Sequence, residues 1–384
     1  MVTLTWSQVC ARRLSRHGLA ADPFGTPAEA VTAMCGAHAQ VPSAAEVSVG
    51  IRVGGITRQH VRDALWEERS LVRTFGPRGT VHLLPAADLP LWTGALGAVP
   101  AGASPFQPDV RMSAGQVDEV VAAIAHILLD AELTVDELDA AIVDRVGTWA
   151  GDPVMPAFQT MWPRWRQVVN TAAHRGALCF GPSRGRKVTY TSPQRWLPGF
   201  SPADPAASVA WLVTSYLHAY GPATQQQFAK WLSAPRTWAG QVFEKLAADS
   251  AIEPVTVDGE AGWVVAGDTG APDLPPAGVR LLPYFEAYTI GSFPRERVFP
   301  GAAAERALNG GQAGNYPVLL VDGVAAGVWH QKRSGKRIVV TVEPVGRLTK
   351  AQQVELAAQV ERVGEILEGR PEWTIGTVTV GPHA

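Results

Sequence analysis

The chain has 384 residues, which is enough for two or three compact units with a hydrophobic core. Hydrophobic residues make up 46% of it, charged residues 18%, and the formal net charge is −2, a composition that excludes a disordered tail and a coiled-coil rod. No run approaches the roughly 18 apolar residues of a membrane span, and the start of the chain lacks the pattern of a signal peptide. We therefore expect a globular cytoplasmic protein with no membrane partner.

Helix starts can be located from capping boxes, in which a Ser or Thr side chain bonds the third helical N–H and a Glu or Gln three residues on reaches back. Five such pairs predict helix starts: Thr5 with Gln8, Thr26 with Glu29, Ser113 with Gln116, Thr134 with Glu137, and Thr349 with Gln352. The first four occur in two sets, and each set continues into a third helix and a two-stranded ribbon.

The first set lies in residues 1–100. Its third helix is predicted over residues 57–68. Residues 71–75 and 80–84 then form a hairpin, because β-branched residues flank a Gly/Pro turn at residues 76–79.

The second set lies in residues 101–203. Its third helix is predicted near residues 160–175, followed by a hairpin of residues 177–181 and 187–191 with a basic turn.

The three cysteines of the chain, Cys10, Cys35 and Cys179, form neither a CxxC pair nor a disulfide framework, so no structural zinc is expected.

A third set is predicted in residues 204–272, with helices over residues 205–219, from residue 224, and over residues 238–248, and with a hairpin around residues 257–260. Three helices followed by a hairpin wing, repeated along the chain, predict tandem winged-helix units.

Residues 273–384 are predicted to form a β-rich domain after a Pro-rich linker. One long helix is predicted from residue 349 to about residue 368, beside strands at residues 279–285, 317–321, 324–330, 337–343 and 374–380. The predicted fold class is therefore α+β, with three tandem winged-helix units and a C-terminal β-barrel-like domain.

Basic side chains are concentrated in two places, although acidic residues between positions 130 and 144 balance the total. Residues 153–203 contain no Asp or Glu, and residues 332–337 form a second basic run that resembles a hairpin tip. A solvated charged loop is the alternative for either run. Because both runs occur in a winged-helix array, we predict contacts to nucleic-acid phosphates from Arg164, Arg166, Arg184, Arg186, Lys187, Lys332, Arg333, Lys336 and Arg337.

The second capped helix is predicted to continue to Val41, so the segment His38-Ala39-Gln40-Val41-Pro42 ends that helix. In a helix, positions i and i+2 point to nearly opposite faces, so the two polar side chains converge only where the helix stops. Pro42 is expected to stop it, because proline disfavours helical geometry at the residue before it. The alternative is that His38 continues the apolar stripe of the helix as a core histidine and Gln40 only ends that helix.

Several short segments match one protein family when they are taken together. They are Leu4-Thr5-Trp6, Arg12-Arg13-Leu14, Gly55-Ile56-Thr57, Leu71-Val72-Arg73-Thr74, Arg78-Gly79-Thr80-Val81-His82-Leu83, Leu281-Leu282-Pro283-Tyr284-Phe285-Glu286-Ala287-Tyr288, Val321-Asp322-Gly323 and Gly327-Val328-Trp329. Through them the chain resembles, over essentially its whole length, the AlkZ-like winged-helix DNA glycosylases, which remove alkylated purines and unhook DNA crosslinks.

The resemblance implies roles for four residues. The family's Gln-x-Gln or Gln-x-Asp catalytic motif falls on His38 and Gln40, where the second position matches and the first does not. The resemblance places this chain in a His-x-Gln branch that is associated with bulky natural-product adducts. In some bacteria the family protects the producer of a DNA-alkylating natural product. Arg78 is implied as a DNA contact next to the lesion, with an exposed turn residue as the alternative. Glu286 matches an acidic family position, with a hydrogen-bonded structural carboxylate as the alternative.

The implied reaction is monofunctional hydrolysis of the N-glycosidic bond of N7-alkylguanine or a bulkier adduct in double-stranded DNA, by a monomer. The alkylated base is a cationic leaving group, so no strong acid, metal or cofactor is expected. The Gln40 carbonyl can orient a water, and a neutral His38 can act as acceptor and general base near pH 7. The alternative function is a non-catalytic winged-helix DNA-binding regulator, which would normally dimerise.

Overall fold

The structure, a computed structural model, describes residues 2–20, 22–102, 104, 106–157 and 160–381. No helix within these ranges is both long and apolar enough to cross a membrane. All five predicted capping boxes are formed, each with its Ser or Thr side chain accepting from the backbone N–H three residues on. The helix starts predicted from them are therefore confirmed.

The N-terminal part holds the predicted catalytic segment on a small sheet. Its elements are β1 (Val2–Leu4), α1 (Trp6–Arg16), α2 (Pro27–Ala33), β2 (Ala37–His38), α3 (Pro42–Gly50), α4 (Arg58–Trp66), β3 (Leu71–Phe75), β4 (Val81–Pro85) and α5 (Leu89–Ala98). The predicted hairpin is confirmed as β3 and β4, which pair antiparallel. Strand β2 adds to β4 on the other side, so the sheet has the order β2-β4-β3.

The next part repeats the hairpin but not all of the predicted helices. Its elements are α6 (Ala114–Leu128), β5 (Glu132–Thr134), α7 (Val135–Val146), β6 (Pro153–Pro156), β7 (Met161–Pro163), α8 (Val169–His174), β8 (Cys179–Arg184) and β9 (Lys187–Thr191). The hairpin is confirmed as β8 and β9, with β5 as a third strand.

The helix predicted near residues 160–175 is wrong in its first half. Strand β7 pairs with β6 there, a 3-10 turn follows over Arg164–Val168, and α8 begins only at Val169. Pro163 accounts for the difference, because the residue before a proline is pushed out of the helical region into an extended conformation.

The third part contains three helices and a hairpin, as predicted. Its elements are α9 (Pro205–Tyr220), α10 (Gln225–Leu232), α11 (Arg236–Ala248), β10 (Ile252–Val257) and β11 (Glu260–Val265). Strand β1 from the start of the chain pairs in parallel with β10. The first and third predicted units therefore share a sheet.

The C-terminal part is a curled five-stranded sheet with one long helix. Its elements are β12 (Val279–Leu282), α12 (Ala287–Gly291), α13 (Arg295–Val298), α14 (Ala302–Ala307), β13 (Val318–Val321), β14 (Val324–Ser334), β15 (Arg337–Pro344), α15 (Lys350–Ile366) and β16 (Arg370–Ile375). The strand order is β12-β13-β14-β15-β16, and within the described residues the two edge strands do not pair, so the sheet does not close into a barrel.

Two details of the C-terminal part differ from the sequence prediction. The last strand was predicted over residues 374–380, but β16 spans Arg370–Ile375, and it lies parallel to β15. The short helices α12, α13 and α14 were not predicted, because each has at most six residues and too few positions to show a helical period.

The cores of the predicted units are continuous with one another. One buried cluster contains Val31, Ile124 and Trp165, and a second contains Trp92 and Leu212. The helices and strands of all four parts confirm the mixed α+β class. The assignment of three winged-helix units and the boundaries between them stay predictions.

Candidate active site

The helix before the His-x-Gln segment ends earlier than predicted. Helix α2 stops at Ala33, and Cys35 and Gly36 then have left-handed φ values of 53° and 90°. The Gly36 N–H closes the helix by donating to the Val31 carbonyl over 3.0 Å. His38 therefore does not lie at a helix end, and the predicted continuation of the helix to Val41 is wrong.

His38 lies on the extended strand β2, two residues before Gln40. His38 lies opposite His82 in the antiparallel pairing of β2 with β4, and the Ala39 N–H donates to the Val81 carbonyl over 2.8 Å. Side chains two residues apart on an extended chain share a face. Pro42 begins helix α3 and does not end α2, because proline is favoured at the first helical position.

Both side chains line one cavity of about 580 Å³. His38 is 9% exposed, whereas Gln40 is exposed to solvent. The remaining walls come from the first hairpin, from α10 and from the C-terminal part. They are formed by Arg78, Thr80, Lys230, Trp231, Phe285, Ile290, Phe293, Arg295, Gly310, Gly311, Gln312, Ala313 and Asn315.

The surroundings of His38 favour its neutral form. Arg78 Nη2 lies 2.6 Å from His38 Nε2, and the ring of His82 is 4.2 Å away between centroids. Burial, and then His82 and Arg78, lower the pKa of His38 well below its ordinary value of 6.5. The ring of Phe285 stacks on His38 at 6.3 Å and 26°.

Arg78 is a half-buried turn residue that reaches into this cavity. It has a left-handed φ of 61° in the tight turn Pro77–Gly79, and its guanidinium also donates to the Trp231 carbonyl. Burial lowers the pKa of Arg78 to about 10. The alternative of an exposed turn residue is therefore wrong, and contact of Arg78 with DNA stays a prediction.

Glu286 is a structural carboxylate. It is 1% exposed, pairs with Arg52 and accepts from the Tyr288 N–H at the start of α12 over 2.7 Å. Its neighbour Phe285 has a left-handed φ of 54°, which is rare for an aromatic residue. The alternative given from sequence for Glu286, a hydrogen-bonded structural carboxylate, is therefore confirmed.

The basic turn of the second hairpin is partly neutralised by α7. Arg184 lies 3.0 Å from Glu137, and Lys187 lies 2.8 Å from Asp136. Arg186 is exposed and forms no hydrogen bond or ion pair with the residues that the structure describes. The acidic residues between positions 130 and 144 therefore form ion pairs with some of the basic residues of the acid-free segment 153–203.

The other two arginines of residues 153–203 that were predicted to contact phosphates differ in their contacts within the protein. Arg164 is 16% exposed, donates to the Val110 carbonyl over 2.8 Å and pairs with Asp152. Arg166 stacks on the exposed ring of Trp162 at 3.9 Å. Arg164 is thus held internally, whereas Arg166 is half-buried on an exposed aromatic ring.

The C-terminal basic run is the tip of the β14–β15 hairpin, as predicted. Arg333 donates to the Leu367 carbonyl over 2.5 Å, and Arg337 lies 3.4 Å from Glu372. Lys332 and Lys336 are exposed and have no ion-pair partner among the described residues.

Each basic hairpin shares a cavity with residues of, or next to, the His-x-Gln segment. Ala39 lines a cavity of about 410 Å³ together with Ser183 and Gly185 of the second hairpin. Val41 lines another of about 130 Å³ together with His330 at the base of the C-terminal hairpin. Two residues of one short segment therefore line cavities that extend to the two basic hairpins.

Sequence reasoning missed several residues of the cavity wall. Lys230 and Arg295 contribute cations, and Phe285 contributes the ring over His38. Only Phe285 had a sequence signal, since it lies in a segment that matches the family. No cluster of three or more His, Cys, Asp or Glu side chains suited to a metal occurs in the described ranges.

Comparisons with known proteins show the family to which this chain belongs. The family described as DNA glycosylase AlkZ-like matches residues 31–366. A Streptomyces sahachiroi protein named interstrand DNA cross-link repair glycosylase is 30% identical over 392 aligned positions, which cover 94% of this chain and 97% of that protein. The solved structure of Streptomyces sahachiroi DNA glycosylase AlkZ is 27% identical, has a TM-score of 0.82, and the match covers 98% of this chain and 100% of that chain. The chain therefore belongs to the AlkZ-like family and is a DNA glycosylase.

Proposed function

We propose that this glycosylase hydrolyses the N-glycosidic bond of N7-alkylguanine, or of a bulkier guanine adduct or crosslink, in duplex DNA, with His38 and Gln40 as its catalytic pair. The observation that carries the proposal is that both side chains line one cavity of about 580 Å³ at the surface. In a glycosylase, the reacting sugar must reach such an open polar pair.

The charges of the cavity suit a leaving group that needs no acid. Among the described residues of its wall there is no Asp or Glu, whereas Arg78, Lys230 and Arg295 are basic. An N7-alkylated guanine carries a positive charge. When the C1′–N9 bond breaks, the electron pair makes the base neutral and the positive charge passes to the sugar, where it stays until water adds and gives up a proton. Cations beside the base therefore disfavour the charged substrate base more than the departing neutral base.

Gln40 is suited to orient the water. Its side-chain carbonyl can accept a hydrogen bond from a water that adds to C1′, and the proton of that water passes to solvent. Since neither Gln40 nor His38 forms a Schiff base, the product is an abasic site with an intact backbone.

The size and flanks of the cavity support a bulky adduct in duplex DNA. Its volume lies inside the range of about 300 to 1,000 Å³ that is usual for small-molecule sites, which leaves room for a substituent larger than methyl. The crosslink repair named for the 30% identical relative is consistent with this substrate class. Such an activity, in a single chain, would serve DNA repair or self-resistance to a DNA-alkylating product.

The DNA path that we propose runs along the exposed face around Gln40. The turn containing Arg186 and the hairpin containing Lys332 and Lys336 flank that face and supply cations for phosphates. The alternative of a non-catalytic regulator has no support in the relatives, whose names describe glycosylases.

Single-turnover base release tests the proposal. Duplexes that carry N7-methylguanine, a bulky N7 adduct or an N7 crosslink are incubated with the protein, and abasic sites are counted. We expect His38→Ala and Gln40→Ala each to slow release by about 100-fold or more at unchanged DNA affinity. Gln226→Ala, an exposed glutamine of α10 outside the cavity, is the control. Release at the wild-type rate by both active-site variants would overturn the assignment.

A further inference from the structure

The contact between Arg78 and His38 has a defined chemistry. Arg78 Nη2 lies 2.6 Å from His38 Nε2, and the other end of the guanidinium is anchored on the Trp231 carbonyl. The left-handed φ of 61° at Arg78 is a conformation that a long side chain seldom adopts in a turn. The turn thus directs the guanidinium at the imidazole.

This contact decides which nitrogen of His38 carries the proton. A guanidinium has five N–H donors and no acceptor, so Nε2 must accept through its lone pair. A neutral imidazole whose Nε2 is unprotonated carries its proton on Nδ1. Within the described part of the chain, Nδ1 of His38 has no hydrogen-bond partner, so this N–H is available to a ligand.

The charged and titratable groups around His38 all disfavour its protonated form. His82 of β4 contacts the ring, and Arg78 of the hairpin turn bonds it. Lys230 of α10 and Arg295 of α13 line the same cavity. No carboxylate in the described wall of the cavity would stabilise an imidazolium, and burial lowers the pKa of His38 further.

We propose that Arg78 is a positioning residue that holds His38 as the neutral Nδ1–H tautomer, so that His38 donates a hydrogen bond to the DNA and Gln40 alone accepts from the attacking water. The proposal rests on the function proposed above and refines it. The Nε2 lone pair is already used by Arg78, and Nδ1 is protonated. His38 is therefore a hydrogen-bond donor and does not act as a general base.

The first test needs no variant at the arginine. Long-range proton–nitrogen correlation spectra are recorded on the full chain with ¹⁵N-labelled histidine, and the His38 signals are identified by their loss in His38→Gln. We expect a protonated Nδ1, an unprotonated Nε2 and no titration between pH 5.5 and 8. A His38 proton on Nε2, or titration near pH 6.5, would overturn the proposal.

The second test removes the donor. Arg78→Met keeps much of the side-chain volume, and Arg175→Met, which changes an exposed arginine paired with Asp118, is the control. We expect the wild type and the control to release base at rates that vary less than about twofold between pH 5.5 and 8. In Arg78→Met the His38 pKa should rise towards 6.5, yet release should not slow at pH 5.5, because an imidazolium still carries the Nδ1–H that donates. In the spectra of Arg78→Met above pH 7, part of the His38 proton should move to Nε2. Release that slows about tenfold at pH 5.5 in Arg78→Met would indicate a general base and contradict the proposal.

The two proposals fail separately. Wild-type rates in His38→Ala and Gln40→Ala would remove the catalytic assignment, yet the tautomer of His38 in the spectra would stand. An Nε2–H tautomer with slow alanine variants would leave the catalytic pair in place and remove only the role of Arg78.

Discussion

The guanidinium of Arg52 and the carboxylate of Glu286 lie 2.5 Å apart, and both side chains are fully buried. Arg52 also donates to the Ser48 carbonyl of α3 over 2.8 Å. Glu286 starts α12 and follows Phe285, whose ring stacks on His38. The pair therefore ties the helix that follows the His-x-Gln segment to the C-terminal part at the place where that part covers His38.

Removing Glu286 should cost much of the stability of the protein. We expect Glu286→Ala to lower the free energy of unfolding by about 3 to 5 kcal/mol, because it leaves the buried Arg52 charge without its partner. Urea denaturation measures the change. Glu372→Ala, which removes the exposed partner of Arg337, should cost less than about 1 kcal/mol, and an equal loss in both variants would argue against this role.

Salt dependence should separate free cations from paired ones. Lys336→Ala and Arg186→Ala should each reduce the slope of log affinity against log salt concentration by about 0.9, the value for one phosphate contact. Arg184→Ala should change it less, because Arg184 must first leave Glu137. Fluorescence anisotropy with duplex DNA at several salt concentrations checks this. Equal slopes in all variants and wild type would show that DNA binds elsewhere.

Lys230 allows a strict test of monofunctional chemistry. It is the one lysine in the described wall of the cavity, where its ammonium lies 5.3 Å from the ring of Phe293. Because water is the proposed nucleophile, borohydride added during the reaction should trap no covalent protein–DNA complex. Lys230→Arg should release base at a rate within about threefold of wild type, since the positive charge is kept. A trapped complex that Lys230→Arg abolishes would instead indicate a Schiff base.

Buried neutral histidines should make the fold acid-sensitive. Burial lowers the pKa of His174 from 6.5 to about 4, and its Nε2 has no partner within the described residues. Below pH 6.5 the unfolded chain binds a proton that the folded chain refuses, so stability falls with pH until about pH 4. Each such histidine contributes up to about 1.4 kcal/mol per pH unit.

Urea midpoints at pH 7.5, 6 and 5 measure this slope. His174→Gln should lose less stability than the wild type between pH 6.5 and 5, because its side chain binds no proton in the unfolded chain. His126→Gln, at an exposed position of α6, should follow the wild type. If all three proteins show the same slope, His174 is not the source of the acid sensitivity.

Local signals in the sequence predicted local structure correctly. The capping boxes at Thr5 and Thr134 start helices where expected, because both partners of each box lie within one helical turn. The hairpin around residues 76–79 is also confirmed, since the turn residues and the β-branched flanks are adjacent in sequence.

The backbone conformation of the His-x-Gln segment could not be predicted from the sequence. The pair itself stays a prediction, but its backbone was assigned to the wrong element. A two-residue strand such as β2 has no period to detect, and it exists because β4 offers an edge more than forty residues later in the chain.

The sequence by itself determined the family and the α+β class, and it predicted the pair His38 and Gln40, because these depend on residue identity and on short-range patterns. Only the tertiary structure decided that Arg78 bonds His38, that Phe285 covers it and that Glu286 is buried against Arg52. Those contacts join residues far apart in the chain. They form because packing brings the hairpin turn and the C-terminal part onto one short strand, and the low polarity of that buried place then sets the protonation of the histidine.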